Sequence, residues 1–493
     1  MTAAFNDDYE PPVDPRTTAE LVDAGELDSG KDWNTYPSPG QPMATARRLM
    51  SDLFTTSDGR ALVRWRGDWW RYNGNCWDLL DDELDVKEHL WNRLEKVVYL
   101  DKDHSERPWA PTTSKVHGLM EPLAILARIP GHLNSPTWIT PAKDYPSAAR
   151  LVSTGNGLLD LATRTLHPHT PKLFSTWALD FDYDPDATCP TWERFLGEVF
   201  AHDPAGAELL QEYAGYLVSG RTDMHKALLI VGPRRGGKGT ISRIIQQLVG
   251  TANAVSPSLG TLGSEFGLAG LIGKPLAVVE DARADDDRRM NTTVERLLNI
   301  IGEDAIAVNR KNIDFWHGTL PTRLLVVSNE TPRFLDSSGA ITSRFMSVRL
   351  QASFESNPDT GLGRKLRGEL PGIFTWALDG LARLEQQGRF TRPATMDEMH
   401  DLMADLASPM QKFLDENYIV TGEENDRLTV SSAHSEFKLW CEQEGLKIVN
   451  RDTFVQRVVS TEPRIKFKNT AVDGEPKTRQ LFGLKVNPIG FLS

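Results

Sequence analysis

The sequence predicts an α/β fold built on a parallel sheet, preceded by a mainly helical domain and followed by a winged-helix-like domain. Three observations carry this expectation. Short, wholly apolar runs recur at 227–231, 276–279 and 324–327, as strands covered on both faces of a parallel sheet require. The first run leads into Gly232-Pro233-Arg234-Arg235-Gly236-Gly237-Lys238-Gly239-Thr240, after which Ile241, Ile244, Ile245 and Leu248 recur at helical spacing. The second and third runs end in polar residues, Glu280-Asp281 and Ser328-Asn329-Glu330, the pattern of a functional edge at the carboxyl ends of parallel strands.

The remaining elements follow in chain order. Residues 1–45 are rich in Pro, Asp, Glu, Gly and Thr, and the first fifty residues carry nine acidic and four basic side chains, which predicts a disordered acidic arm. Residues 46–150 open on a helical pattern and continue into Leu62-Val63-Arg64-Trp65-Arg66-Gly67-Asp68-Trp69-Trp70-Arg71-Tyr72, a mixed α/β region with a hairpin or meander. Its tryptophans, Trp65, Trp69, Trp70 and Trp77, either pack a small sheet, the favoured reading, or offer faces to the bases of a single strand. Residues 151–222 are expected to be a helical lead-in, with a short strand near Asn156 to Leu161 and apolar positions Phe195, Val199, Leu209, Leu210, Tyr213 and Leu217 at helical spacing. The core spans 223–393. After a linker at Thr391-Arg392-Pro393, residues 394–493 show an amphipathic helix bearing Phe437 and Trp440 or Cys441. A second helix near Phe454 and alternating basic and apolar residues then suggest a winged helix that contacts DNA, or else a protein-interaction module.

Composition sets limits. With 493 residues, 40% hydrophobic and 25% charged, the chain has the make-up of a soluble globular protein of several domains. The net charge of −13 excludes a global positive field, so any nucleic-acid contact must be local. Ten basic against seven acidic residues from 428 to 493 make one such locality. Three widely spaced cysteines, Cys76, Cys189 and Cys441, fit neither a disulfide framework nor a zinc site. No apolar run is long enough to span a membrane and no signal-peptide pattern is present, so a cytoplasmic protein is expected.

The chemistry of the glycine-rich segment points to a nucleoside triphosphate, ATP or GTP. Glycines let backbone N–H groups close around phosphate oxygens, the helix N-terminus adds positive potential, and the Lys238 ammonium reaches the terminal phosphates. The usual pattern has a hydroxyl directly after the lysine; here Gly239 stands there, so Thr240 is the choice for the Mg²⁺-side hydroxyl. Asp281 is assigned to the metal and Glu280 to polarising water, although the two roles are exchangeable. Asn329, a polar amide at a strand end, can orient the water or sense the γ-phosphate and is the sensor candidate. The loop alone does not separate a motor from a nucleotide kinase, whose loops also read Gly-Lys-Gly-Thr.

Taken together, 232–240, 276–283, 294–311 and 321–349 resemble the superfamily 3 helicases. The wording of 295–311 (ERLLNIIGEDAIAVNRK), 320–334 (LPTRLLVVSNETPRF) and 338–350 (SGAITSRFMSVRL) resembles the phage and plasmid primase–helicase family that includes poxvirus-type proteins. The resemblance implies a modified AAA+ ATPase that assembles into a ring, usually hexameric, around DNA and moves 3′ to 5′ along one strand using ATP and Mg²⁺. It further implies that Arg344 is an arginine finger reaching a neighbouring subunit's ATP, with Arg349 and Arg333 as runners-up. Arg310 and Lys311 would form the tip of a hairpin that grips the DNA backbone. Without the family these two residues read as a solvated hairpin tip.

Two other classes stay open: an ATP-dependent origin-binding initiator or helicase loader, and a nucleotide kinase. Primase–helicases of the family carry a primase domain with metal-binding carboxylates, and residues 1–150 show no such carboxylate and histidine constellation, so the partners the resemblance implies are a separate primase or other replication proteins. No labelled primer is expected from this chain in a template-dependent ribonucleotide incorporation assay; primers lost only on mutation within 1–150 would contradict this.

Overall fold

A computed structural model describes residues 34–140, 145–280, 282, 287–311, 313–334, 336, 339–355, 359–407, 409–444, 448–470 and 477–487. The expected core sheet is present. Strands β7 (Ala227–Val231), β8 (Ala254–Val255), β9 (Leu276–Glu280), β12 (Arg323–Ser328) and β13 (Phe345–Arg349) form one five-stranded parallel sheet in the order β8-β9-β12-β7-β13. Every residue of β7 and β12 is buried, which their apolar sequences require. Period-two alternation then sorts the side chains. Leu228, Ile230, Val278, Leu325 and Val327 face one core, and Ala227, Leu229, Val231, Val279, Leu324 and Val326 face the other.

The first core is closed by helices α4 (Pro190–Val199), α5 (Ala205–Val218), α6 (Lys238–Leu248) and α9 (Leu370–Gln387), and the second by α7 (Asp287–Ile301), α10 (Ala394–Ala407) and the hairpin β10 (Ile306–Arg310)–β11 (Ile313–Gly318). Helices α5 and α9 touch backbone to backbone. A Cβ on Gly215 would lie 2.3 Å from the Ala377 carbonyl oxygen and 2.7 Å from the Leu381 nitrogen, so only glycine fits there.

Two buried carboxylates tie this layer to the chain that leaves the core. Glu212 on α5, fully buried, accepts from Arg383 Nε at 2.8 Å and from the backbone N–H and hydroxyl of Thr391, each at 2.7 Å. Asp203 accepts from the backbone N–H of Thr395 at 3.1 Å and from its hydroxyl at 3.0 Å. The expected linker around Thr391-Arg392-Pro393 is therefore held against the core.

Two boundaries differ from expectation. Residues 151–222 do not begin as helix: β4 (Leu151–Thr154), β5 (Gly157–Asp160) and β6 (Thr165–His167) form an antiparallel sheet before α4, because both sides of β4 and β5 are buried and helix-period spacing starts only at Pro190. Within the expected acidic arm, residues 1–33 lie outside the described residues, but the arm ends earlier than position 45. Tyr36 is buried, its N–H donates to the Val98 carbonyl at 2.8 Å, its hydroxyl donates to Asp52 at 2.6 Å, and α1 (Pro42–Leu53) follows.

The Trp-rich region folds around α1, α2 (Glu83–Leu94) and α3 (Thr113–Ala127), with the meander β1 (Leu62–Trp65), β2 (Asp68–Tyr72) and β3 (Trp77–Leu79). Trp65, Trp69, Trp70 and Trp77 are 5%, 3%, 2% and 0% exposed, which decides for packing over base stacking. At the other end, α12 (Val430–Gln443), α13 (Arg451–Thr461) and the antiparallel pair β16 (Lys466–Thr470)–β17 (Thr478–Phe482) surround a core of Phe413, Phe437, Trp440 and Phe454. The three cysteines are free and buried, and burial pushes the Cys76 and Cys189 thiols up to about 12. Among the described residues no helix is long and apolar enough to cross a membrane.

Gly215→Ala is expected to destabilise the fold by roughly 1–3 kcal/mol through overpacking, read as a lowered thermal unfolding midpoint. An unchanged midpoint would show that α5 and α9 separate freely.

Candidate functional site

The register of the sheet builds the site. Val231 lies beside Ser328, and Glu280 beside Val327, so the ends of β7, β12 and β9 emerge along one edge. The chain leaves β7 into Gly232–Thr240 and enters α6 at Lys238. Gly237 has φ +93°, a left-handed conformation, and a Cβ there would approach Phe195 and Val199 of α4 at 3.1 Å, so both backbone and packing call for glycine.

Lys238 is the most constrained charge at this edge. It is 8% exposed, and its Nζ donates to the carbonyls of Gly232 at 2.7 Å and Pro233 at 2.6 Å and to Asn329 Oδ1 at 3.0 Å. All three acceptors are neutral, and burial holds the ammonium below its usual pKa. Among the described residues no carboxylate pairs with it, and a buried cation so placed is costly unless an anion completes the site. Sequence reasoning placed Lys238 and Asn329 in different motifs, and the fold brings them into contact.

A cavity of about 930 Å³ opens from this point, lined by Arg234, Arg235, Gly236, Gly237, Lys238, Gly239 and Thr240, and by Glu280, Ser328 and Asn329. Gly232 and Pro233 contribute their carbonyls to Lys238 but are not among its lining residues. The far wall was not foreseen: Thr191, Arg194, Phe195 and Glu198 come from α4, and Phe354, Asp359 and Leu362 from the segment after β13. These contributions depend on how α4 packs on the loop, which no local spacing encodes. Arg194, Arg234, Arg235 and Arg243 add to Lys238 around the cavity, so a polyanion fits its charge.

The expected metal side is partly visible. Glu280 stands exposed at the end of β9, and Asp281 lies outside the described residues. Thr240 lines the cavity, yet the hydroxyl that reaches Glu280 is Ser242, at 3.4 Å from Oε1. Ser242 sits one helical turn beyond Lys238, a signal the sequence held in its i, i+4 spacing. No cluster of three or more His, Cys, Asp or Glu suited to a metal occurs among the described residues. Mg²⁺ bound with a nucleotide needs only one or two protein groups beside phosphate oxygens, so Glu280 and Thr240 fit that requirement.

Arg344 lies elsewhere. It ends α8 (Ala340–Arg344), directly before β13, whose Phe345 pairs with Ala227 at the start of β7 while Arg349 pairs with Val231 at its end. At a rise of ~3.3 Å per residue, Arg344 is about 15 Å along the sheet from the edge where this chain's own loop begins. It is therefore not part of the cavity. Lys226 is its neighbour, donating to the Ser343 carbonyl at 2.5 Å, and burial followed by the Arg344 charge holds Lys226 below its usual pKa. Arg349 is exposed at the loop edge, and its carbonyl accepts from His202 Nε2 at 2.8 Å. Arg333 keeps a buried Nε with no partner among the described residues.

Arg310 and Lys311 differ from each other. Lys311 is exposed at the turn of the β10–β11 hairpin. Arg310 is not a free tip: its Nη1 donates to both oxygens of Asp68, at 2.7 and 2.9 Å, and the guanidinium also donates to the Asp314 carbonyl at 3.2 Å. The expectation of two solvent-facing cations is corrected to one, because the Trp-rich region packs against the hairpin.

Fold and site thus define a mixed α/β protein with a cation-rich cavity at the carboxyl edge of a parallel sheet. Residues 48–201 match the D5 N terminal like family, and residues 230–344 match a family of unknown function, DUF5906. The chain carries a D5-like segment across the Trp-rich region, the β4–β6 sheet and α4. Among solved structures, the A form apo structure of the NrS-1 C terminal region is similar at 11% identity and a TM-score of 0.43, covering 87% of this chain and 97% of that one. A second apo structure of that region gives 12% identity and a TM-score of 0.41, covering 62% and 79%.

Proposed function

We propose that this chain is an ATP-driven, ring-forming DNA helicase of the superfamily 3 type, serving replication of a phage, prophage or plasmid in the cytoplasm of its host. The observation that carries the reading is the buried Lys238 ammonium, ringed by neutral oxygens at the mouth of an arginine-lined cavity. The D5-like match over 48–201 supports the replication setting.

In this reading Gly232–Thr240 bind the phosphates of ATP, and Lys238 pairs with the terminal ones while exchanging its carbonyl contacts for charged oxygens. Asn329, already bonded to Lys238, senses that exchange. Glu280 and Asp281 divide the metal and water-polarising roles, and Thr240 joins the metal side. Mg²⁺, when bound, neutralises charge on the phosphates. Arg344 lies outside its own cavity, at the opposite end of β13 from the loop, which suits a guanidinium used in trans on the ATP of a neighbouring copy in a hexameric ring. Lys311, then Arg310, contact single-stranded DNA in the channel, with movement 3′ to 5′. The C-terminal module, with a helix pair followed by a β hairpin, suits a winged helix. A second reading, an origin-binding initiator or loader that does not unwind, is favoured by one observation: Arg310 is engaged within the chain.

Lys238→Ala is expected to lower DNA-stimulated phosphate release by about a hundredfold or more. Turnover equal to wild type would refute the nucleotide site. Arg344→Ala should retain ATP binding, measured with a fluorescent analogue, and lose turnover by about 10³-fold. Full turnover by monomeric protein, together with a silent Arg344→Ala, would overturn the ring mechanism. Strand separation on a forked duplex distinguishes the helicase from the loader.

A further inference from the structure

We infer that Arg310 is a phosphate-binding group held in reserve, with the Asp68 carboxylate occupying it until a single-strand phosphodiester takes its place. The inference rests on the proposed DNA-contacting role of the hairpin and adds a control to it.

The geometry supports exchange over a permanent strut. One guanidinium nitrogen reaches both carboxylate oxygens, and a phosphate presents a similar pair of anionic acceptors to arginine. The pair is covered but not sealed, with side chains 13% and 15% exposed. Asp68 stands at the turn of the β1–β2 hairpin, opposite Trp65 in register, so its carboxylate projects from a tip and not from a strand interior. Among the described residues the hairpin side is exposed, with Lys311 exposed and Phe315 55% exposed.

Letting go of Asp68 does not undo the docking of the two hairpins. Their contact is held separately by Arg66, whose guanidinium lies 4.3 Å from the Trp65 ring centroid and 5.0 Å from that of Trp316, while donating to the Gly131 carbonyl at 2.9 Å and Asn134 Oδ1 at 2.7 Å. Trp316 is 2% exposed, a firm apolar anchor. Arg310 is therefore the replaceable contact on a fixed platform. A DNA strand attracted by Lys311 meets Arg310 already paired, and its apparent affinity is reduced by the fraction of molecules in which Asp68 holds the site.

The test is single-strand DNA binding by the full chain, with a labelled oligothymidylate across a salt series. Asp68→Asn keeps the shape and removes the competing charge; it is expected to tighten binding roughly fivefold to tenfold at low salt and to steepen the salt dependence by about one released counterion. Arg310→Ala is expected to weaken binding, and Asp68→Asn is expected to add nothing in the Arg310→Ala background. If Arg310→Ala weakens binding but Asp68→Asn leaves it equal or weaker, Asp68 only positions Arg310 and the reserve is refuted while the hairpin reading survives. If Arg310→Ala and Lys311→Ala both leave binding unchanged, the hairpin reading fails and the reserve with it. A thermal unfolding midpoint for Asp68→Asn within a degree or two of wild type excludes misfolding as the cause of any change.

Discussion

Everything at the candidate site depends on the parallel pairing of β7 with β12. A strand that enters between β9 and β7 with that register must deliver Ser328 beside Val231 and Asn329 beside the loop, so the amide meets the lysine without either being placed by its own local sequence. Slipping the register by one residue would also exchange the two faces, sending Leu228 and Ile230 into the core built for Leu229. Site geometry and core packing are thus one constraint, and the site inherits its rigidity from strands that are buried from end to end.

Much of this was legible in the chain. The apolar runs announced the buried strands, and the glycine-rich loop between the first run and a helical pattern located Lys238. What local reading could not supply was contact between distant segments. Phe195 and Arg194 reach the cavity only because α4 lies against Gly237, and Asp68 reaches Arg310 across an interval of 242 positions. Ser242, one turn past Lys238, is legible in the i, i+4 spacing as the hydroxyl that reaches Glu280, while Thr240 lines the cavity. The helices of the lead-in show strong 3.6-residue spacing and the strand near Asn156 to Leu161 is legible as β5, whereas β4, four residues with no alternation because both of its sides are buried, carries no pattern of its own.

The charge of the chain takes on a different meaning with the side chains located. A net of −13 describes the average, while the cavity gathers Lys238 with four arginines and the Trp-rich region spends its cations on ring faces and backbone carbonyls. Arg64 lies 4.8 Å from the Trp69 ring centroid, and Arg60 donates to the Leu126 carbonyl. Such arginines act as packing material with a polar end. Counting cations along the sequence therefore misjudges which of them are free to meet a polyanion.

The buried carboxylates Asp203 and Glu212 have a mechanical consequence. They grip Thr395 and Thr391 from across nearly the whole core, at separations of 192 and 179 residues. Pulling α10 away from α5 would leave Asp203 without the two donors of Thr395 and Glu212 with Arg383 in place of three bonds, at a cost of several kcal/mol for a buried carboxylate that loses its partners. The exit from the core consequently behaves as a keyed shaft and not as a slack tether: torque applied to the C-terminal module is delivered to α5, and through its backbone contact with α9 to the layer of helices that closes one face of the sheet.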